Sequence, residues 1–154
     1  MRLAVVFLLF IACLSAVPQT AHQQPAPPVP QDYSGMYSFL REGEFIQITI
    51  DEKSAITGFI SRFGDSESDR GVFLNQFFKS GKLTGNKVSF TTEVVHGNSF
   101  SFEGNVERGP GKSLDEEAYY VLRGTLTRNA SDSGKSTSPQ NTKVEFRSFP
   151  RDTN

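Results

Sequence analysis

Between Gln31 and Gly109 the chain has no proline, and most of that stretch alternates apolar and polar residues with a period of two. Ile46, Ile48 and Ile50 share one side of an extended segment, with Gln47 and Thr49 on the other. Val88, Phe90, Thr92 and Val94 alternate with Ser89, Thr91 and Glu93, and Phe100, Phe102, Gly104 and Val106 alternate with Ser101, Glu103, Asn105 and Glu107. The pattern returns at Tyr120, Leu122, Gly124 and Leu126, then at Val144 and Phe146. Successive side chains of a strand point to opposite faces. Half-buried antiparallel strands therefore produce this alternation, whereas parallel strands covered on both faces read as continuous apolar runs. Proline donates no ladder hydrogen bond, so a long stretch without it suits a sheet of many strands. The body, residues 33–149, is predicted to be a single all-β domain.

Turn chemistry divides the body. Arg41-Glu42-Gly43, Asp51-Glu52-Lys53-Ser54, Thr84-Gly85-Asn86 and His96-Gly97-Asn98 read as short hairpin connections, three of them with a glycine for positive φ. Longer connections fall at 63–71, 109–117 and 129–141, and the polar, serine-rich composition of the last predicts a mobile loop. Asn129-Ala130-Ser131 is a glycosylation sequon, meaningful only in a eukaryotic secretory route. Residues 72–79 fit two patterns: Phe73/Phe77 and Leu74/Phe78 have helical i, i+4 spacing, yet the run is also apolar and aromatic enough for a strand.

Gly35, Gly58, Gly81, Gly104 and Gly124 recur at intervals of 23, 23, 23 and 20 residues. Four of them have apolar or aromatic residues at both i−2 and i+2 (Tyr33/Tyr37, Ile56/Ile60, Phe102/Val106, Leu122/Leu126), which sets these glycines on the core-facing side. An interval of this length holds two strands and two connections, so the spacing describes an antiparallel up-and-down meander of about eight strands. Core-facing glycines let strands bend sharply, as a small closed or partly closed barrel requires. The opening Tyr33-Ser34-Gly35-Met36-Tyr37 resembles the G-x-W opening of the lipocalins, whose fold is an eight-stranded up-and-down barrel. Here Tyr37 stands in place of Trp, no long helical segment follows, and no cysteine pair is present. The resemblance implies a lipocalin-like, calycin-type shape.

The ends carry a different message. Met1-Arg2 followed by twelve uncharged apolar residues from Leu3 to Leu14, then Ser15-Ala16, has the form of a secretory signal peptide over residues 1–16, too short in its apolar core to span a bilayer. The predicted location is secreted, periplasmic or cell-envelope, with no transmembrane helix after processing. Phe10-Ile11-Ala12-Cys13 resembles a bacterial lipobox, so lipidation of Cys13 is a minor alternative. Cleavage after Ala16 would remove this one cysteine, and with it disulfides, thiolate metal sites and cysteine nucleophiles. Residues 17–32, with five Pro and four Gln, form an extended linker, and residues 150–154 a disordered terminus.

A formal net charge of −1 excludes a strongly basic nucleic-acid surface. No Gly-rich phosphate loop, dinucleotide fingerprint, G-x-S-x-G elbow or H-E-x-x-H is present, so no enzyme, cofactor or metal is predicted. In a meander, connections alternate between the two ends of the barrel. On the strand reading of 72–79, the connections at 41–43, 63–71, 96–98 and 129–141 share one end, where a polar cluster of Asp65, Glu67, Asp69 and His96 is expected with Glu42, Arg70 and Asn98 nearby. Carboxylates at 65, 67 and 69 have the alternate spacing of calcium loops, but Arg70 and Gln76 occupy the sixth and twelfth positions, where an EF-hand has Gly and a carboxylate. His96 is either a turn residue or a base beside Asp65 or Asp69.

The aromatics suggest a binding role. An eight-stranded barrel is just wide enough to be filled by side chains or to hold one small ligand. Large Phe residues favour filling, and aligned core glycines favour residual space. A small apolar or amphipathic ligand would be lined by Tyr37, Phe90, Phe102, Tyr120 and Leu122. The alternative is a structural or interaction protein with a filled core, meeting a protein partner through Phe59, Tyr119 and Val121 on the outer face.

Overall fold

A computed structural model describes residues 32–65, 67–132, 135–136 and 138–152. The expected signal peptide at 1–16, Cys13, nearly all of the expected linker and the last two residues lie outside the described residues. Nine strands are seen among the rest: β1 (Gly35–Ser38), β2 (Phe45–Ile50), β3 (Ile56–Phe63), β4 (Phe73–Thr84), β5 (Lys87–Thr92), β6 (Asn98–Arg108), β7 (Tyr120–Asp132), the two-residue β8 (Lys135–Ser136) and β9 (Gln140–Arg147). Each of β1 to β7 pairs antiparallel with the next, and β9 pairs with β7, so the fold is an eight-strand meander with β8 folded onto the far tip of β7. Among the described residues the one helical element is a 3₁₀ turn at Glu67–Asp69.

The sheet curls back on itself. Past the end of β9, Ser148 bridges to Tyr37 and Phe149 N donates to Met36 O at 2.9 Å. This short seam leaves the barrel partly closed, the all-β meander expected from the alternation. The glycine rows permit the curl. Gly58, φ +149°, lies opposite Ile48, and a Cβ there would overlap Gln47 O. Gly104 faces Gly124 across β6 and β7, and a Cβ on either would overlap the neighbouring strand's backbone.

Residues 72–79 are resolved as strand: β4 includes 73–79 and pairs with β3 from Phe59↔Phe77 to Phe63↔Phe73. A register shift between Phe78 and Ser80 marks a bulge where β4 passes from β3 to β5. The i, i+4 aromatic pairs in this run split between the two sides of the strand, with Phe73 and Phe77 exposed and Leu74 and Phe78 half-buried. β7 continues through Asn129 and Ala130, which pair with Ser99 and Asn98, so this part of the expected 129–141 loop is strand.

Inward-facing residues of every long strand fill the barrel: Tyr37, Ile46, Ile60, Val88, Phe102, Leu122, Phe146 and their neighbours form one buried cluster. Phe78, Phe90, Phe102 and Phe146 make a continuous aromatic stack, with centroid separations of 4.3, 5.4 and 5.7 Å.

Candidate functional site

At one end of the barrel the inward alternation continues, but its residues change from apolar to polar. On β3 the inward series Ile56, Gly58, Ile60 ends in Arg62; on β4 Phe78 is preceded by Gln76; on β5 Phe90 is followed by Thr92; on β7 Leu126 is followed by Arg128; and Glu44 precedes Ile46. Gln76 is 0% exposed and Arg62 2% exposed, with Glu44 and Thr92 also buried. Such residues withstand burial only if hydrogen-bonded.

A network meets most of that demand. Arg62 Nε donates to Gln76 Oε1 at 3.1 Å, and the amide of Gln76 donates to Thr92 Oγ1 (3.0 Å) and to the carbonyls of Glu93 and Asn98 (both 2.7 Å). Thr92 Oγ1 accepts from Phe100 N at 2.9 Å. Arg62 Nη1 and Arg128 Nη2 both donate to Asp65 Oδ2, at 2.9 and 3.0 Å, and Arg128 Nε donates to Asn98 Oδ1 at 3.0 Å. Glu44 accepts from Arg41 Nε (2.8 Å) and Phe63 N (2.9 Å), which fastens the β1–β2 turn to the end of β3. Burial pulls the Arg62 guanidinium below its ordinary pKa, and Asp65 opposes the shift. A guanidinium begins so high that it stays charged.

Above this layer opens a pocket of about 250 Å³ lined by Phe39, Leu40 and Phe100 on its apolar side and by Arg41, Glu44, Arg62, Asp65 and Arg128 on its polar side. Arg62 also lies over the Phe100 ring, 5.4 Å from its centroid.

The residues expected for function are distributed differently. Tyr37, Phe90, Phe102, Tyr120 and Leu122 are all buried in the hydrophobic core and packed among themselves and their neighbours. The phenol of Tyr37 donates to Tyr33 O at 2.6 Å, and burial pushes its pKa well up. Of the polar cluster, Asp65 joins the pocket, and His96 Nδ1 lies 2.6 Å from Asp69 Oδ2. Glu67 is exposed on the 3₁₀ turn. His96 and Gly97 both have positive φ, +47° and +74°, between the mutually hydrogen-bonded Val95 and Asn98, the geometry of a tight two-residue hairpin turn. Among the described residues no group of three metal-ligating side chains converges.

The outer face needs a correction. Val121 is 0% exposed, because the 109–119 connection folds over it, and a Cβ on Gly109 would come within 3.0 Å of its Cγ1. Tyr119 is half-buried and stacks under the Arg108 guanidinium, 3.2 Å from the ring centroid. Phe59 lies apart from both, in a ridge with Phe45 and Phe77 at centroid separations of 5.9 and 5.6 Å. Phe77 is 57% and the nearby Phe73 49% exposed.

Arg41, Glu44, Arg62, Gln76, Thr92 and Arg128 are functional candidates that motif reasoning passes over. The available signal was the period-two series carried one step past its last apolar member, where an inward polar residue recurs on strand after strand.

Together the curled meander, filled interior and short seam define a small calycin-type β-barrel. Solved structures sharing the fold include the rhizavidin–biotin complex (TM-score 0.56, 9% identity, covering 75% of this chain and 99% of that one) and apo shwanavidin (TM-score 0.56, 13% identity, 77% and 98%). Apo short afifavidin is similar in the same degree (TM-score 0.55, 15% identity, 79% and 98%). No family model and no curated protein matches the sequence.

Proposed function

We propose that the protein is an exported binding module that holds a small amphipathic ligand at the mouth of its barrel. The observation that carries this reading is the mouth pocket: an apolar wall of Phe39, Leu40 and Phe100 faces a charged wall in a cleft of about 250 Å³. Binding sites combine mostly apolar surface with a few fixed polar groups in this way. The filled interior puts the ligand above the core, and the buried hydrogen-bond network fixes the polar wall before any ligand arrives. Two structural neighbours, rhizavidin and short afifavidin, are seen in complexes with biotin, which supports a binding protein over an enzyme and makes biotin one of the first compounds to try. Export rests on residues 1–16.

Native mass spectrometry of the protein, purified gently from its own source, tests the reading. A bound mass released by denaturation is expected. A protein at its apo mass that binds neither biotin nor any member of a small-molecule panel would overturn it.

The exposed Phe73 and Phe77 beside Phe45 and Phe59 favour a second role, contact with a protein partner through the outer face of β2 to β4. On this reading Phe77→Ser abolishes co-purification of that partner and leaves the pocket unaffected.

A further inference from the structure

Arg62 lacks one acceptor. Its Nε and Nη1 are taken by Gln76, Phe63 O and Asp65, but Nη2 is buried with no hydrogen-bond partner among the described residues, on a side chain only 3% exposed. A buried charged donor without an acceptor is costly, and native structures seldom keep one without a reason. The acceptors nearby are already engaged. Asp65 Oδ2 receives both Arg62 and Arg128, while Glu44 receives Arg41 and the backbone of Phe63. Three guanidinium groups and two carboxylates line the pocket, leaving one positive charge in excess.

We infer that the pocket receives a monoanionic carboxylate carrying a compact apolar body, which sets Phe100 against the body and, by displacing the side chains that cover Arg62 Nη2, gives that nitrogen its acceptor. The inference rests on the mouth pocket being the ligand site and adds the chemical class of the ligand. One negative charge balances the excess, whereas a dianionic phosphate would exceed it. The planar guanidinium matches a carboxylate in geometry, and a charge-assisted hydrogen bond strengthens where water is excluded. Gln76 and Asp65 hold the other nitrogens of Arg62, so uncovering Nη2 calls for movement of its neighbours and not of the guanidinium itself.

Benzoate and its neutral isostere benzamide separate the alternatives. Each is titrated into the full chain by calorimetry, and the Arg62 Nε–H resonance is followed by NMR. Benzoate is expected to bind at least about tenfold more tightly than benzamide, the worth of one hydrogen bond to a charged partner. The Arg62 resonance should shift with benzoate alone. Arg128→Gln, which removes the excess positive charge while Arg62 keeps its bonds to Gln76 and Asp65, should weaken benzoate far more than benzamide. Equal affinity for the two compounds overturns the inference while the pocket reading stands. If neither binds but the purified protein releases a bound mass, the inference alone falls; if neither binds and the protein is at its apo mass, both fall.

Discussion

Arg62 on β3 and Gln76 on β4 meet through a hydrogen bond of 3.1 Å between two side chains that water does not reach. Gln76 then passes the connection to Thr92 on β5, so three consecutive strands are joined inside the barrel by side chains as well as by their ladders. Gln76→Ala strands Arg62 Nε and removes the donor to Glu93 O and Asn98 O. A loss of about 2–4 kcal/mol is expected from equilibrium urea unfolding. Thr92→Val alone should also destabilise, and the double variant should cost less than the sum of the two, because both changes break one network.

Phe102 lies between Phe90 and Phe146 in the aromatic stack and has no exposed surface. Phe102→Ala should destabilise by about 3–5 kcal/mol, the range for a large aromatic lost from a packed core. A change under about 1 kcal/mol would mean that the register of β6 is displaced by one residue, moving Phe102 to the outer face.

The glycines divide into two kinds. Gly58→Ala drives a methyl group into Gln47 O at a φ of +149°, so this variant should fail to accumulate as folded protein. Gly71→Ala meets nothing within 4 Å, and only its φ of +79° is unfavourable. It should fold and lose about 1–2 kcal/mol, measured by the urea midpoint.

Alkaline stability reports on Tyr37. Burial raises its folded pKa above the ordinary value, so the folded state holds this proton more tightly than the unfolded chain does. The associated stability is complete below about pH 10, the unfolded phenol value, and declines as pH rises from there through the folded value. Unfolding free energy measured between pH 9 and 11 should therefore fall more steeply for the native chain than for Tyr37→Phe. At pH 7 the variant should be the less stable by about 0.5–1.5 kcal/mol, having lost its bond to Tyr33 O.

The sequence by itself determined the strands, most of their turns and the residues that face inward. Period two is a local property of extended backbone, and the glycines at 58, 81, 104 and 124 reveal where neighbouring strands approach too closely for a side chain. Only the tertiary structure decided between strand and helix for residues 72–79, because a run of five bulky apolar residues in eight satisfies both periods and pairing with β3 selects one. Only it showed Val121 covered, since the alternation of β7 places that side chain outside and the 109–119 connection then folds across it. The pocket lay furthest from view. Glu44, Arg62, Gln76, Thr92 and Arg128 are single polar residues on or beside five strands, spread over 85 positions from first to last. Each resembles an ordinary polar strand residue until the curl and register of the sheet bring them into one layer. Hydrogen bonds between side chains so distant in sequence form only after the backbone has closed around them.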